Sequence, residues 1–382
     1  MRFEVKKIFS KTSSKIVLAL IFLFVIYSVH MANYLVWLNE DGTEMTGRAA
    51  AEKLREEEAA WSGPLTADRI ADVIEQKWNQ GNRGIRMLLT RAYGGLDYTD
   101  STVVDSLTAE DASCFYGNRV KSLEEWLKKQ GTWYTNEEQD FFIRQYEKME
   151  VPLNYEYTKG WTQLFSAASN LQIFLVLAIG FLVAGIFSEE YRTNAYAVYF
   201  SSVQGRGKAI RAKIGTGFLL ITVIYWSAFL LFSGCVLGTL GFGGAEARIQ
   251  ISAMGWKSIY NITFLQEYLL IAAGGYVGCL FADSLAMLVS ARTKSTVVSV
   301  IVPFAVIFAP SVIRLVNSPL ADKINGLMPY QLTQINYLLS EFYVYRIFGV
   351  FCGAVGILLV GYLIAAVLLQ PVMYLVFRRR QG

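Results

Sequence analysis

The sequence predicts an all-α membrane protein with six transmembrane helices, both termini on the inner side, and a helical extracytoplasmic domain between the first two spans. Three observations carry this expectation. Apolar residues make up 54% of the 382 and charged residues only 17%, with a mean hydropathy of +0.35, a balance foreign to an ordinary soluble domain. Six apolar runs fall near 16–38, 171–188, 214–240, 264–291, 295–315 and 347–377; about 20 such residues cross roughly 30 Å of hydrocarbon, where backbone groups must be satisfied within the helix. An inner N-terminus then places fifteen Lys and Arg on inner segments against five in the two short outer loops, as the positive-inside rule requires.

In chain order, residues 1–38 hold an N-terminal stretch and the first span. Phe3, Val5, Ile8 and Phe9 alternate with lysines, which suits either a short helix in the inner interface or a plain basic flank. The first apolar run is too long for a cleavable signal and ends in Tyr34 and Trp37, aromatics suited to the headgroup level. His30 is the sole histidine and reads as a packing or interfacial residue. With one His, no HExxH and no clustered thiols, the chain lacks the donors of a metal site.

Residues 39–168 form the one soluble-looking domain. It carries 15 basic and 23 acidic residues, a net of −8, while the inner face is basic, so the whole-chain charge of +4 conceals an asymmetry. That split argues against nucleic-acid binding and for anionic lipid headgroups at the inner face. Cys114 is its only thiol, which rules out an internal disulfide, and Cys235, Cys279 and Cys352 read as small residues in spans. The pattern is helical: Thr66 is placed to cap a helix whose Ile70, Val73, Ile74 and Trp78 share a face, and Leu123, Trp126, Leu127, then Phe141, Phe142 and Tyr146, repeat the theme. Four or five helices are expected, with loops at Gly81 to Gly95. The acidic pairs Glu124–Glu125 and Glu137–Glu138 read as solvated helix faces.

Residues 169–382 are expected to form a five-span core. Its most informative part is the polar, basic loop 188–213 between the second and third apolar runs. Glu189 and Glu190 open it, Arg206, Lys208, Arg211 and Lys213 close it, and the aromatic segment with Tyr196, Tyr199 and Phe200 sits between. A bare connector needs no such aromatics, so the loop reads as a docking surface. Gly234, Gly238 and Gly241, and Gly274, Gly275 and Gly278, let helices approach closely, within the subunit or along a dimer seam. Asp283 lies inside the fourth span, where a carboxylate needs a polar partner, a cavity or the subunit interior; a structural hydrogen bond and a place in a translocation path both fit. Pro303 and Pro310 kink the fifth span. The stretch after it, through 346, is apolar enough to sink into the outer leaflet and too broken to span.

Assembled in this order, the chain resembles an ABC-2-type permease, the membrane subunit of an ABC exporter, and within that family a bacterial subgroup with a large outer insertion. The resemblance rests on the layout, on FSEEYRTNAYAVYFSSVQGRGKAIRAKI after the second span, on LAMLVSARTKSTVVSVIVPF across the fourth and fifth, and on NYEYTKGWTQL leading into the second. It covers nearly the whole chain outside 39–150. It implies that the loop is a coupling helix docked in a cleft of an ATPase, with Glu189, Glu190, Arg192 and Thr193 at its start, Tyr196, Tyr199 and Phe200 docking, and Arg206 and Lys213 closing it. Thr193-Asn194 stands where many members have Gly-Thr, and Gln204-Gly205 where they have a proline before the arginine.

The resemblance further implies two ABC ATPase subunits and a second permease copy or paralogue as partners in a lipid bilayer, in a bacterial plasma membrane. The chain itself is no motor. SVQGRGKA has the outline of a phosphate loop, but Ser202 replaces the first glycine and Ala209 the magnesium-binding hydroxyl. No cofactor is therefore expected in this chain; ATP and Mg belong to the partner. The expected function is ATP-driven export of a hydrophobic or amphipathic substrate. Two other classes compete: a membrane enzyme using outer-domain acids, which lacks a nucleophile, histidine or metal constellation, and a sensor or resistance module whose outer domain binds a peptide or antibiotic.

Overall fold

A computed structural model of the chain describes residues 2–39, 41–76, 78–194, 205–293, 295–309 and 318–379. Among these, five helices are long and apolar enough to cross a membrane: Thr12–Ala32, Lys159–Tyr191, Gly207–Leu240, Phe264–Thr293 and Ala354–Arg379. The chain is thus a multi-pass, all-α membrane protein.

A short helix α1 (Arg2–Phe9) turns at Ser10 into α2 (Thr12–Ala32). The inserted region follows: α3 (Gly47–Ala59), α4 (Ala67–Glu75), α5 (Arg83–Gly94), α6 (Phe115–Gln130) and α7 (Asn136–Glu147). Of two small antiparallel sheets, the first is a local hairpin at its start and the second joins its early part to its end. Strand β1 (Val36–Leu38) pairs with β2 (Glu44–Thr46), Val36 opposite Thr46; β3 (Gly63–Pro64) pairs with β4 (Asn154–Tyr155), Gly63 opposite Tyr155. The core then runs α8 (Lys159–Arg192), α9 (Ile210–Leu240), α10 (Phe264–Thr293), α11 (Thr296–Phe308), the short α12 (Pro319–Gly326) and α13 (Ile335–Leu338), the hairpin β5 (Val344–Ile347) and β6 (Val350–Gly353), and α14 (Ala354–Arg379).

Helix α8 is the axis of the bundle, packed against α2, α9, α10 and α11, while α10 also packs against α14. Helices α2 and α14 lie at the periphery and leave apolar rows such as Phe22, Leu23, Ile26 and Val367, Leu368 exposed, the pattern of lipid-facing helices. Two ends of the bundle are distinct. At the basic end meet α1, the end of α8, the start of α9, the α10–α11 turn and the end of α14: Ser188 Oγ lies 2.8 Å from Thr296 Oγ1, Ser188 N–H donates to Ser290 Oγ at 2.9 Å, and the rings of Phe187 and Phe377 are 4.8 Å apart. The inserted region caps the opposite end.

Several predicted boundaries shift. The second span begins at Lys159, inside the stretch assigned to the inserted domain, because the helical pattern runs unbroken through Trp161 and Phe165. The first helix stops at Ala32, and 36–38 form a strand instead. The last span begins at Ala354, since 344–353 fold as a two-residue hairpin with Phe348 and Gly349 both at positive φ. Gly81 to Gly95 is largely helix α5, whose Ile85, Leu88, Leu89 and Ala92 face the core. Helix α4 ends at Glu75, so Trp78 is exposed and not on the buried face. Thr66 does cap α4, accepting from Arg69 N–H at 3.4 Å.

The segment 329–335 is buried between α10, α14 and α8. A Cβ on Gly274 would meet Leu332 O at 2.6 Å and Ile335 Cγ1 at 2.5 Å, so that glycine admits the segment about 15 Å below the start of α10. Non-helical backbone at this depth is tolerated because protein surrounds it; Gln331 Nε2 satisfies Asn325 O at 3.2 Å, and Tyr330 Oη donates to Asn325 Oδ1 at 2.5 Å. The glycines of the third span behave differently: Gly234 and Gly238 open onto the helix exterior, and Gly241, at φ +105°, caps α9 against Arg55.

Candidate functional site

At the basic end, α8 ends on Thr193 and on Asn194, whose left-handed φ of +57° breaks the helix. Its last turns carry Glu189 and Glu190; Lys213 lies in the first turn of α9, and α1 faces both. Lys213 Nζ donates to Glu190 Oε1 at 2.6 Å, Glu4 Oε2 at 3.0 Å and Ile186 O at 3.2 Å, which occupies all three ammonium protons. Lys7 Nζ reaches the same Glu190 oxygen at 2.5 Å, and Lys11 pairs with Glu189. The side chains of Lys213 and Glu190 are each 1% exposed. Three acids, Glu4, Glu189 and Glu190, and three lysines, Lys7, Lys11 and Lys213, therefore neutralise one another, fixing α1 across the ends of α8 and α9.

Of the residues predicted for this loop, Glu189, Glu190 and Lys213 come together in this cluster. Glu190 and Lys213 face the chain's own helices and not the surface. Thr193 is exposed, its Oγ1 donating to Glu189 O at 2.9 Å. Arg192 closes α8 and Arg206 lies in the turn Gly205–Ala209, with their side chains outside the description. Tyr196, Tyr199 and Phe200 lie outside the described residues. The cluster's other half, Glu4 and Lys7, escaped sequence reasoning; the only signal was an acid in the first turn of a basic amphipathic stretch.

Asp283 sits in mid-span between α8, α10 and α11, fully buried, and neither carboxylate oxygen has a hydrogen-bond partner among the described residues. It borders a cavity of about 20 Å³ lined also by Gly180, Ser299 and Pro303, room for one water. The absent Cβ of Gly180 makes that space: one added there would lie 3.2 Å from Asp283 Oδ1.

At the other end the inserted region is clamped onto the connections of the core. Arg119, fully buried, donates to Trp256 O at 3.0 Å and Ser258 O at 3.2 Å and stacks 3.7 Å from the Tyr146 ring; burial lowers its pKa to about 10, so it stays charged at neutral pH. Tyr146 Oη donates to Lys257 O at 2.8 Å, and Trp161 Nε1 to Gly243 O at 2.9 Å. Glu137 lies on the expected solvated face and pairs there with Arg346 at 2.5 Å, whereas Glu138, expected on the same face, is buried, pairs with Lys323 at 2.5 Å and closes the capping box of α7.

Between this region and the helix ends lies a cavity of about 390 Å³. Glu58 of α3, Arg83 of α5, Lys159 of α8 and Glu267 of α10 line it beside Trp37 and Phe165. Burial, partly countered by Lys159, pushes the Glu58 carboxyl up to about 7. None of these four was singled out from the sequence, although Glu267 is legible as an acid in the first turn of an otherwise apolar run. No family model, curated protein or solved structure matches the chain.

Proposed function

We propose that the protein is the transmembrane subunit of an ATP-driven exporter of the ABC-2 type, six-spanning with both termini in the cytoplasm of a bacterial cell. Two separate ATPase subunits energise it, a second permease copy or paralogue completes it, and the substrate is hydrophobic or amphipathic. The basic end is then cytoplasmic and the inserted region extracytoplasmic.

One observation carries the reading. The segment 195–204 is flanked on both sides by helices locked to each other and to α1 through Glu190 and Lys213. A partner that moves this segment would move α8 and α9 together, and α8 runs the full depth of the bundle; such a lever is what coupling to an ATPase requires. A sixth crossing over 296–317 is supported by where the chain leaves and returns: Thr296 is at the basic end beside Ser188, and Lys323 pairs with Glu138 of the inserted region. Helix α11 is only 13 residues long, about 20 Å, and residues 310–317 lie outside the described residues.

The test is ATPase activity of the co-purified complex in lipid nanodiscs, comparing the native chain with Tyr199→Asp plus Phe200→Asp. Loss of the ATPase from a folded double variant is expected. Retention with unchanged turnover, or a native chain that never brings down an ATPase, sinks the assignment.

A second reading, a sensor or resistance module whose outer domain binds a peptide or antibiotic, is favoured by the clamping of that domain onto the core through Arg119, Glu137 and Glu138. Ligand binding by the complex without ligand-dependent transport would select it.

A further inference from the structure

The cavity of about 390 Å³ at the domain end has the size of a small-ligand site. Glu58 and Glu267 are each only 5% exposed, come from different helices, and make no side-chain hydrogen bond or ion pair among the described residues. Lys159 and Arg83 line the same space and make none either. Carboxylates set in a largely buried surround with no donor of their own are disfavoured as ions, so a pair of them opening onto one cavity marks a place where donors can be supplied from outside the chain. Once a bound donor ionises both acids, the two acids and two bases balance in sign. A ligand of one charge would gain at one pair and lose at the other, whereas one carrying both signs gains at both.

The level of the cavity narrows the class. Trp37 and Leu35 follow the end of α2, Thr162 and Phe165 lie in the first turns of α8, and Phe264 opens α10. These are the positions at which spanning helices leave hydrocarbon for the headgroup layer, with a tryptophan where such residues concentrate. Charged groups thus line a chamber whose apolar wall is built from the helix ends themselves.

We infer that this cavity binds the headgroup of a zwitterionic amphiphile, with a primary ammonium donating to Glu58 and Glu267 and an acidic group held by Lys159 and Arg83. The inference concerns occupancy alone and stands whether the chain is an exporter subunit or a sensor. Phosphatidylethanolamine in the outer leaflet presents this chemistry, and so does soluble phosphoethanolamine. A trimethylated headgroup does not, since it has no N–H to give.

The purified full chain in mild detergent, titrated with phosphatidylethanolamine or with phosphatidylcholine of the same acyl chains, separates the possibilities by native mass spectrometry. One phosphatidylethanolamine per chain is expected to be held about tenfold more tightly than phosphatidylcholine, the scale set by losing one charge-assisted hydrogen bond. Glu58→Gln with Glu267→Gln should erase that preference while keeping side-chain volume. Soluble phosphoethanolamine that competes at similar concentration assigns the site to a free zwitterion; failure to compete assigns it to lipid. Equal retention of the two lipids by the native chain, with no effect of phosphoethanolamine, overturns the inference, and that comparison needs no variant to fold. A folded double variant that keeps the preference overturns the assignment to these carboxylates.

Discussion

Replacing Lys213 by Met tests the basic-end cluster most directly. The substitution keeps the length of the side chain and removes one ammonium whose three protons go to Glu190, Glu4 and Ile186 O. Glu190, 1% exposed, keeps Lys7 at 2.5 Å, but Lys7 is 28% exposed and is the weaker, more hydrated partner. Breaking a buried pair by removing one member costs about 3–5 kcal/mol, and the surviving lysine places this case near the lower figure, about 3 kcal/mol. Removing both charges, Lys213→Met with Glu190→Leu, leaves no uncompensated ion in that pair and should recover at least half of the loss. Reversible unfolding of the purified chain in mixed micelles, run as a double-mutant cycle, measures both quantities. A single-variant loss under about 1 kcal/mol, or additive effects of the two substitutions, would refute the claim that this pair holds α8 and α9 together.

Two further outcomes are expected. Arg119→Met strips the clamp between the inserted region and the connection 241–263, leaving the Trp256 and Ser258 carbonyls without their donor; unfolding of the full chain should show a loss of about 3 kcal/mol. Glu58 binds its proton more tightly folded than unfolded, so its contribution is fully present below its ordinary value of 4.5 and is lost as pH rises through about 7. Across that window stability should fall by at most about 3 kcal/mol more in the native chain than in Glu58→Gln, with Lys159, Arg83, Tyr155 and Tyr157 the neighbouring groups that tune it. An identical pH profile in the two proteins would show that the carboxyl is not buried.

The parts of this fold that read cleanly from the sequence are those governed by short-range physics. Apolar length gave the five long helices, and Thr66 sits where capping chemistry demands. The errors came where a local signal was ambiguous. Gly84 and Gly94 look like breakers, yet both lie in α5, as its second and last residues; Gly84 is needed because a Cβ there would collide with Tyr155 Oη. The hairpin at 344–353 hides within apolar residues, and its turn places Phe348 at φ 49°, a position Asn or Gly would have advertised. Glu138 carries the charge of a solvated face but is buried; its partner Lys323 lies 185 residues along the chain, beyond any periodicity. Lys213 fails in the same way. Counted as a basic loop residue, it is buried by Glu4 and Glu190, and only tertiary structure brings those two together.

What joins these separate sites is α8. Lys159 opens it at the cavity, Gln172 binds Ile271 O at 2.8 Å within the bundle, Gly180 faces Asp283, and Glu190 closes it in the ion cluster. The helix contains no proline, and its 34 residues extend about 50 Å, so its two ends move together as one rod unless it bends at an interior glycine, Gly180 or Gly185; at Gly180 the neighbour is the Asp283 carboxylate, without a hydrogen-bond partner among the described residues. The alternatives differ in consequence. A rigid α8 would make any displacement at Lys159 felt at Glu190, whereas a hinge at Gly180 would confine it to one half and alter the surroundings of Asp283. The cluster at the basic end favours the rod, because Lys7 and Lys213 hold the last turn of α8 from two sides while Gln172 and Tyr225 pin its upper half to α10. In either functional reading, coupling across the membrane would run through this one helix, held at its basic end by Lys7 and Lys213 and in its upper half by Gln172, and passing at Gly180 the Asp283 carboxylate of α10, which has no hydrogen-bond partner among the described residues.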